Sequence, residues 1–227
     1  MIRNSFIGLL VVALGVFLFT FFYDYQTPTT LNKTAEYYLS HDASEVGAAN
    51  VVTSIVVTYR GLDTLGEVTV LFLTALIIGF MLSKKAKSAT APKEESSEIL
   101  LTASKILVPG SIILGTYIFI NGHLTPGGGF QGGAVIGSAI MLISLADPNK
   151  IMSKHVMHFV EGVSGAVYVF VGILGLILAG GFLDNRVLPL GELGTLFSAG
   201  LIPIIYSLIG LKVGAEISSI ITNINES

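Results

Sequence analysis

Long apolar runs broken by short polar stretches give this chain its pattern. Six of them have the length a helix needs to cross a hydrocarbon layer of roughly 30 Å at ~1.5 Å per residue. They are residues 5–23, 63–82, about 105–121, 132–146, 157–183 and 194–220. The fourth is short unless the glycines before it join the helix. The predicted fold class is therefore all-α: a polytopic membrane protein with about six transmembrane helices. Between the first two runs lies a longer segment, residues 24–62. Its first part is polar, with Lys33, Glu36, Asp42 and Glu45; its second, residues 46–59, is apolar but too short to cross. That second part is expected to lie at the interface or dip between helices. Residues 83–98, SKKAKSATAPKEESSE, are charged and of low complexity, and read as a tether. With its flank to residue 104, this linker divides the chain into a two-span module, 1–82, and a four-span module, 105–227.

Composition agrees with the pattern. Apolar residues make up 52% of 227 positions and charged residues 12%, against about 25% charge in an ordinary soluble domain. Cysteine is absent, which excludes disulfides, thiolate metal sites and iron–sulfur ligation within this chain. No basic, aromatic-interleaved patch suggests nucleic acid. Residues 5–23 are too long for a signal-peptide core and lack a small-x-small site after them, so they read as a retained span. Lysine and arginine then choose the orientation. With the N-terminus inside, the cytoplasmic side receives Arg3, Lys84, Lys85, Lys87, Lys93, Lys105, Lys150, Lys154 and Lys212, and the outside keeps Lys33, Arg60 and Arg186. Both termini and the tether are predicted cytoplasmic in a multi-pass protein of the cell membrane.

A carboxylate inside a span costs about 2.5–3.5 kcal/mol or more at a helix centre, so each is a candidate for function. Glu67 lies about a turn inside the second run, near the outer face, and shares a helical stripe with Asp63 and Thr74. Glu161 lies about a turn inside the fifth run, near the cytoplasmic face. Lys154, His158, Glu161, Ser164 and Tyr168 recur there at helical spacing. A proton relay needs groups that donate and accept in turn, and this stripe offers a carboxyl, an imidazole and a phenol. The alternative for Glu161 is a helix-end charge that complements the macrodipole and pairs with Lys154 or His158 at headgroup level. If both acids serve one ion path, the polar groups between them are expected from partner subunits.

The stretch NGHLTPGGGFQGG, residues 121–133, sets Pro126, Gly127, Gly128, Gly129 and Phe130 in a tight turn. Gly129, Gly133 and Gly137 continue it as a small-xxx-small ladder suited to close helix packing. The turn lacks the Gly-Lys-Ser/Thr ending of a phosphate loop and the strand of a dinucleotide site, so it is expected to bind no cofactor. His155 and His158 have too few partners for zinc, no metal site is expected, and His41 and His123 read as solvent-side or turn residues. Pro203 is expected to kink the sixth span. Lys212 and Glu216 are expected to pair and snorkel at the cytoplasmic edge.

The PGGGF turn resembles the signature of the B subunit (MnhB-like) of Mrp-type multisubunit sodium/proton antiporters. The string NVVTSIVVTYRGLDTLGEVTVLF, residues 50–72, is similar to the C-terminal end of the large A subunit of those antiporters. In the membrane-bound hydrogenase and sulfane sulfur reductase complexes of heat-loving archaea, the second module is a small separate subunit. A chain starting just before that module resembles these relatives more than a lone antiporter. The resemblance implies a non-catalytic subunit in the antiporter-like arm of a large hetero-oligomeric complex that moves sodium or protons, with electron transfer elsewhere. It also implies that Glu67, in the DTLGE motif, is tied to ion transport; it implies nothing for Glu161. The rival expectations are a purely structural packing subunit, a component of a stand-alone Mrp-type antiporter, and, least supported, a free-standing transporter without the inverted repeat such proteins show.

Overall fold

The computed structural model describes residues 2–23, 30–83, 96–147 and 153–225. All regular structure among them is helical, and six helices are long and apolar enough to span a membrane. The chain divides into two compact units, residues 1–37 and 38–227.

The first unit is built on α1 (Ile2–Tyr23), whose side chains from Ser5 onward are exposed along its whole length. Such an apolar helix with no packed face is suited to lipid or to a partner, not to water. The unit also holds the start of α2 (Lys33–Glu45), where the Asn32 side chain accepts from Ala35 N at 2.7 Å and so caps the helix.

The second unit begins with the rest of α2. Next come a short helical turn, α3 (Val51–Thr53), and a π-helical stretch, Ser54–Tyr59, that runs straight out of it. Together they form the stretch expected to be too short to span, anchored by the buried Val46, Ala48, Thr53, Ser54 and Val57. Tyr38 stacks on Tyr59 with ring centroids 4.6 Å apart, and Tyr59 Oη donates to Glu45 at 2.8 Å, which ties α2 to this stretch. The backbone turns at Arg60 into α4 (Gly61–Ser83), followed by α5 (Glu98–Ile120), α6 (Gly129–Ala146), α7 (Lys154–Leu178) and α8 (Ile202–Asn225). Helix α8 is the hub: α4, α5, α6 and α7 all pack on it. Its inner face supplies Ile202, Ile205, Ile209 and Val213 to a core shared with Val57, Val68 and Tyr168.

Several boundaries differ from the sequence pattern, each for a local reason. The third span starts at Glu98, not near Lys105, because Ser97 caps it by accepting from Leu100 N at 3.3 Å. Glu98 and Lys105 thus belong to the helix; of the tether, residues 84–95 lie outside the described residues, as do Lys84, Lys85, Lys87, Lys93 and Lys150. The glycines do join the fourth span, which starts at Gly129. The fifth ends at Leu178 and the sixth begins at Ile202. The apolar residues between them turn repeatedly through left-handed backbone, at Gly180, Leu183, Gly194, Ala199 and Gly200. Pro203 does not kink α8. It stands in the first helical turn, where the missing N–H has no intrahelical acceptor to lose. The proline inside a helix is Pro109, in α5.

Candidate functional site

The two sequence motifs, some 70 residues apart, meet in space. Asn50 caps α3 by accepting from Val52 N at 3.2 Å, and its amide donates to the carbonyls of Gly122 at 2.9 Å and Thr125 at 3.0 Å. Thr53 Oγ1 donates to the same Gly122 carbonyl at 2.6 Å, Tyr206 Oη donates to Thr53 at 3.2 Å, and Asn50 N donates to His123 O at 3.0 Å. The turn's own carbonyls are therefore satisfied from the other motif. His123 is in the turn as expected but is fully buried, not solvent-side. Burial holds its pKa below the usual histidine value, so the ring is neutral at pH 7.

The glycines of the turn are placed for contact. Gly128 has φ +156° and ψ −178°, a region open essentially to glycine. A side-chain carbon on Gly129 would lie 2.6 Å from Ile209, on Gly133 2.7 Å from the Gly210 carbonyl, and on Gly137 2.6 Å from Ile217. The ladder thus faces α8 at backbone distance. Pro126 and Gly127 complete the bend, where a carbon on Gly127 would meet Ile118 at 3.1 Å, and Phe130 packs against the core cluster.

The candidate acids occupy two different settings. Asp63, Glu67 and Thr74 all face outward from α4. Asp63 binds Arg60 at 2.6 Å, and Thr74 donates back to Val70 O at 2.8 Å. Glu67 is exposed on this chain, yet close enough to Tyr168 of α7 for its charge to act on the phenol. Glu161, by contrast, is 5% exposed on the buried face of α7, in line with Met157, Ser164 and Tyr168. His158 Nδ1 approaches Glu161 Oε2 at 3.5 Å from a solvent-facing position. Ser164 donates to Val160 O at 2.6 Å.

The residues the sequence pattern misplaced are Lys212 and Glu216. They do pair, at 2.6 Å, but not at the membrane edge. They stand midway along α8, 7% and 0% exposed. Lys212 therefore leaves the count of inside charges, which keeps eight of its nine residues. Its ammonium lies 4.7 Å from the centre of the Phe72 ring of α4, and its side chain runs along Gly165 of α7. Glu161 of α7 is near enough for its charge to act on Glu216. So the chain itself supplies polar groups between Glu67 and Glu161, on the seam of α4, α7 and α8. Among the described residues no three His, Asp or Glu converge as a metal site.

Comparison with known proteins bears on this architecture. Residues 99–219 match the family described as a domain related to the MnhB subunit of Na+/H+ antiporter, which is more than half the chain. The chain belongs to this MnhB-related family. Residues 2–97 match a second family, described as the E subunit of MBH (MbhE). A chain in the solved structure of the membrane-bound sulfane sulfur reductase, an archaeal respiratory membrane complex, is 41% identical, with a TM-score of 0.84 over 99% of this chain and 98% of that one. The Mrp complex from Dietzia sp. DQ12-45-1b shares the fold at 24% identity, with a TM-score of 0.76 over 98% of this chain and 26% of that one. An uncharacterized protein of Methanocaldococcus jannaschii is 29% identical over 81% of this MnhB-related chain and 78% of its own length. A probable K+/H+ antiporter A/B subunit of Rhizobium meliloti is 28% identical over 59% of this chain, which spans only 16% of it. The protein is thus a multi-pass membrane protein related to components of large membrane complexes.

Proposed function

We propose that this chain is a non-catalytic membrane subunit of a cation-translocating complex, in the antiporter-like arm of a respiratory assembly resembling the sulfane sulfur reductase or the membrane-bound hydrogenases. The likeness over the full length of the reductase chain supports the assignment. The observation that carries the site is Glu67: a carboxylate within a span, exposed on the outward face of α4. An ionised group facing lipid is expensive, so that face is read as covered by a neighbouring membrane subunit that completes a sodium or proton path. Gln is nearly isosteric with Glu and carries no charge. Glu67→Gln is expected to leave the complex assembled and its redox activity measurable in detergent, while sodium or proton movement into sealed vesicles falls. Transport at the wild-type rate would instead favour the packing-subunit reading, for which the glycine ladder between α6 and α8 speaks.

The orientation belongs to the same proposal: both termini and the tether in the cytoplasm, from the bias of lysine and arginine. The chain has no native cysteine, so Thr90→Cys supplies a single label site. It is expected to react with an impermeant thiol reagent only after the membrane is opened; labelling from outside in intact cells reverses the topology. The two-module division at the tether also stands as part of this reading.

A further inference from the structure

The seam of α4, α7 and α8 holds an arrangement that the exposed Glu67 does not explain. Two carboxylates, Glu161 and Glu216, lie near enough for charge to act between them, Glu216 is paired with the one ammonium, Lys212, and both acids are at least nine-tenths buried. Glu216 Oε1 is ion-paired with Lys212, but Oε2 has no hydrogen-bond partner, and neither does the buried Tyr168 hydroxyl one turn beyond Gly165. Fully ionised, the three groups would carry one net negative charge, with Glu216 fully buried. Two nearby carboxylates in such a place do not both stay charged; one takes up a cation. Sodium requires several converging oxygen ligands, and among the described residues no three His, Asp or Glu side chains gather to supply them. A proton needs only the free carboxylate oxygen.

The cluster also has an entrance. A cleft of about 330 Å3 opens at the end of the bundle where α7 begins, and its polar lining is Lys154, His158, Glu161, Ser219 and Asn223. Glu161 forms part of its wall, whereas Glu216 lies behind it, fully buried. His158 stands at the mouth, with an imidazole that can accept a proton on one nitrogen and donate from the other.

We propose that Glu161 and Glu216 form a buried proton-loading site, filled from this cleft through His158 and gated by the Lys212 ion pair. The inference rests on the reading of the chain as part of a cation-translocating complex. One proton moves in each step. Protonated His158 gives its proton to the Glu161 carboxylate and, now neutral, takes another from water in the cleft. Protonated Glu161 then passes its proton to the Glu216 carboxylate and recovers its own negative charge. Neutral Glu216 releases Lys212, which keeps the Phe72 ring as its neighbour. The other groups facing the cluster are Ser164 and Tyr168 from α7, with Lys154 at the cleft mouth and Glu67 beyond Tyr168 on α4.

The test uses the whole complex in sealed vesicles. His158 is largely solvent-facing, so His158→Ala is expected to assemble, to slow proton movement about tenfold or more, and to recover when imidazole is added on the cleft side. A purely structural histidine would not respond to imidazole. Glu216→Gln is expected to abolish proton movement and to remove a protonated-carboxyl stretching band from the infrared spectrum at neutral pH. Unchanged transport in His158→Ala overturns the loading route, even if the Glu216 variant fails to assemble. Loss of the wild-type band on adding sodium at constant pH assigns the site to sodium and overturns the proton. Wild-type transport in Glu216→Gln, together with lost transport in Glu67→Gln, defeats this inference alone. Wild-type transport in both defeats the broader functional reading as well.

Discussion

Lys212→Met, introduced alone, is expected to destabilise the folded subunit by roughly 3–5 kcal/mol, the usual consequence of stripping one partner from a buried ion pair. Uptake of a proton by Glu216 can relieve the stranded charge but does not restore the lost ion pair. Glu216 is 0% exposed, its second oxygen is already without a partner, and the other charge that acts on it is a further acid, Glu161. Methionine fills the channel along Gly165 about as well as the lysine stem does, so volume is nearly conserved and charge is what changes. The double variant Lys212→Met with Glu216→Gln removes both charges and is expected to recover most of the lost stability. Melting of the purified complex, read as a double-mutant cycle, measures the coupling. A double variant as unstable as the single one would show that shape, not charge, is what the position requires.

Gly133→Leu is expected to prevent assembly of the second unit. A single added carbon would already lie 2.7 Å from the Gly210 carbonyl and 2.8 Å from the Val213 side chain, and leucine brings three more. Overpacking by even one or two methylenes costs about 1–3 kcal/mol where the surroundings can shift. Here the nearest obstacle is backbone of the hub helix, on which four other helices rest, so relaxation would move the whole bundle. Gly110→Leu is the control: a carbon there meets no atom of the described residues within 4 Å beyond its own stretch of helix, and the protein is expected to accumulate near normally. The check is the fraction of each variant recovered in the intact complex. Equal recovery of the two would mean that the ladder is not a packing device.

The sequence pattern was informative where it depended on run length and uninformative where it depended on faces. Six spans and the short stretch between the first two were legible because a membrane demands long uncharged runs of a set length. The loop between α7 and α8 was not. Residues such as Leu183 and Ala199 are as apolar as those in a span, and only their positive φ takes them out of helix. That error had a consequence. Starting the sixth span at Gly194 instead of Ile202 pushed Lys212 and Glu216 toward its far end and disguised a mid-membrane ion pair as an edge contact. Likewise, periodicity placed His158, Glu161 and Tyr168 near one stripe, but not which edge of it meets α8. Glu161 and Tyr168 turn inward while His158 faces out, and Glu67 looks away from its own bundle. Which neighbour a helix face meets is a tertiary fact with no signature in one sequence.

The joint between Asn50, Thr53 and the carbonyls of the glycine turn has a bearing on how such proteins can be built. Its hydrogen bonds run from two side chains and one backbone N–H of one motif to backbone carbonyls of the other, and none of them passes through the stretch that connects the two in sequence. A joint of this kind holds whether or not the peptide between its halves is continuous. The covalent link then acts chiefly as a concentration device, keeping one half always within reach of the other. Cutting the gene in two at that link, or joining two genes there, would alter the supply of parts and leave the fit between them alone. The seam is a place where the boundary between two chains can move without redesigning the machine.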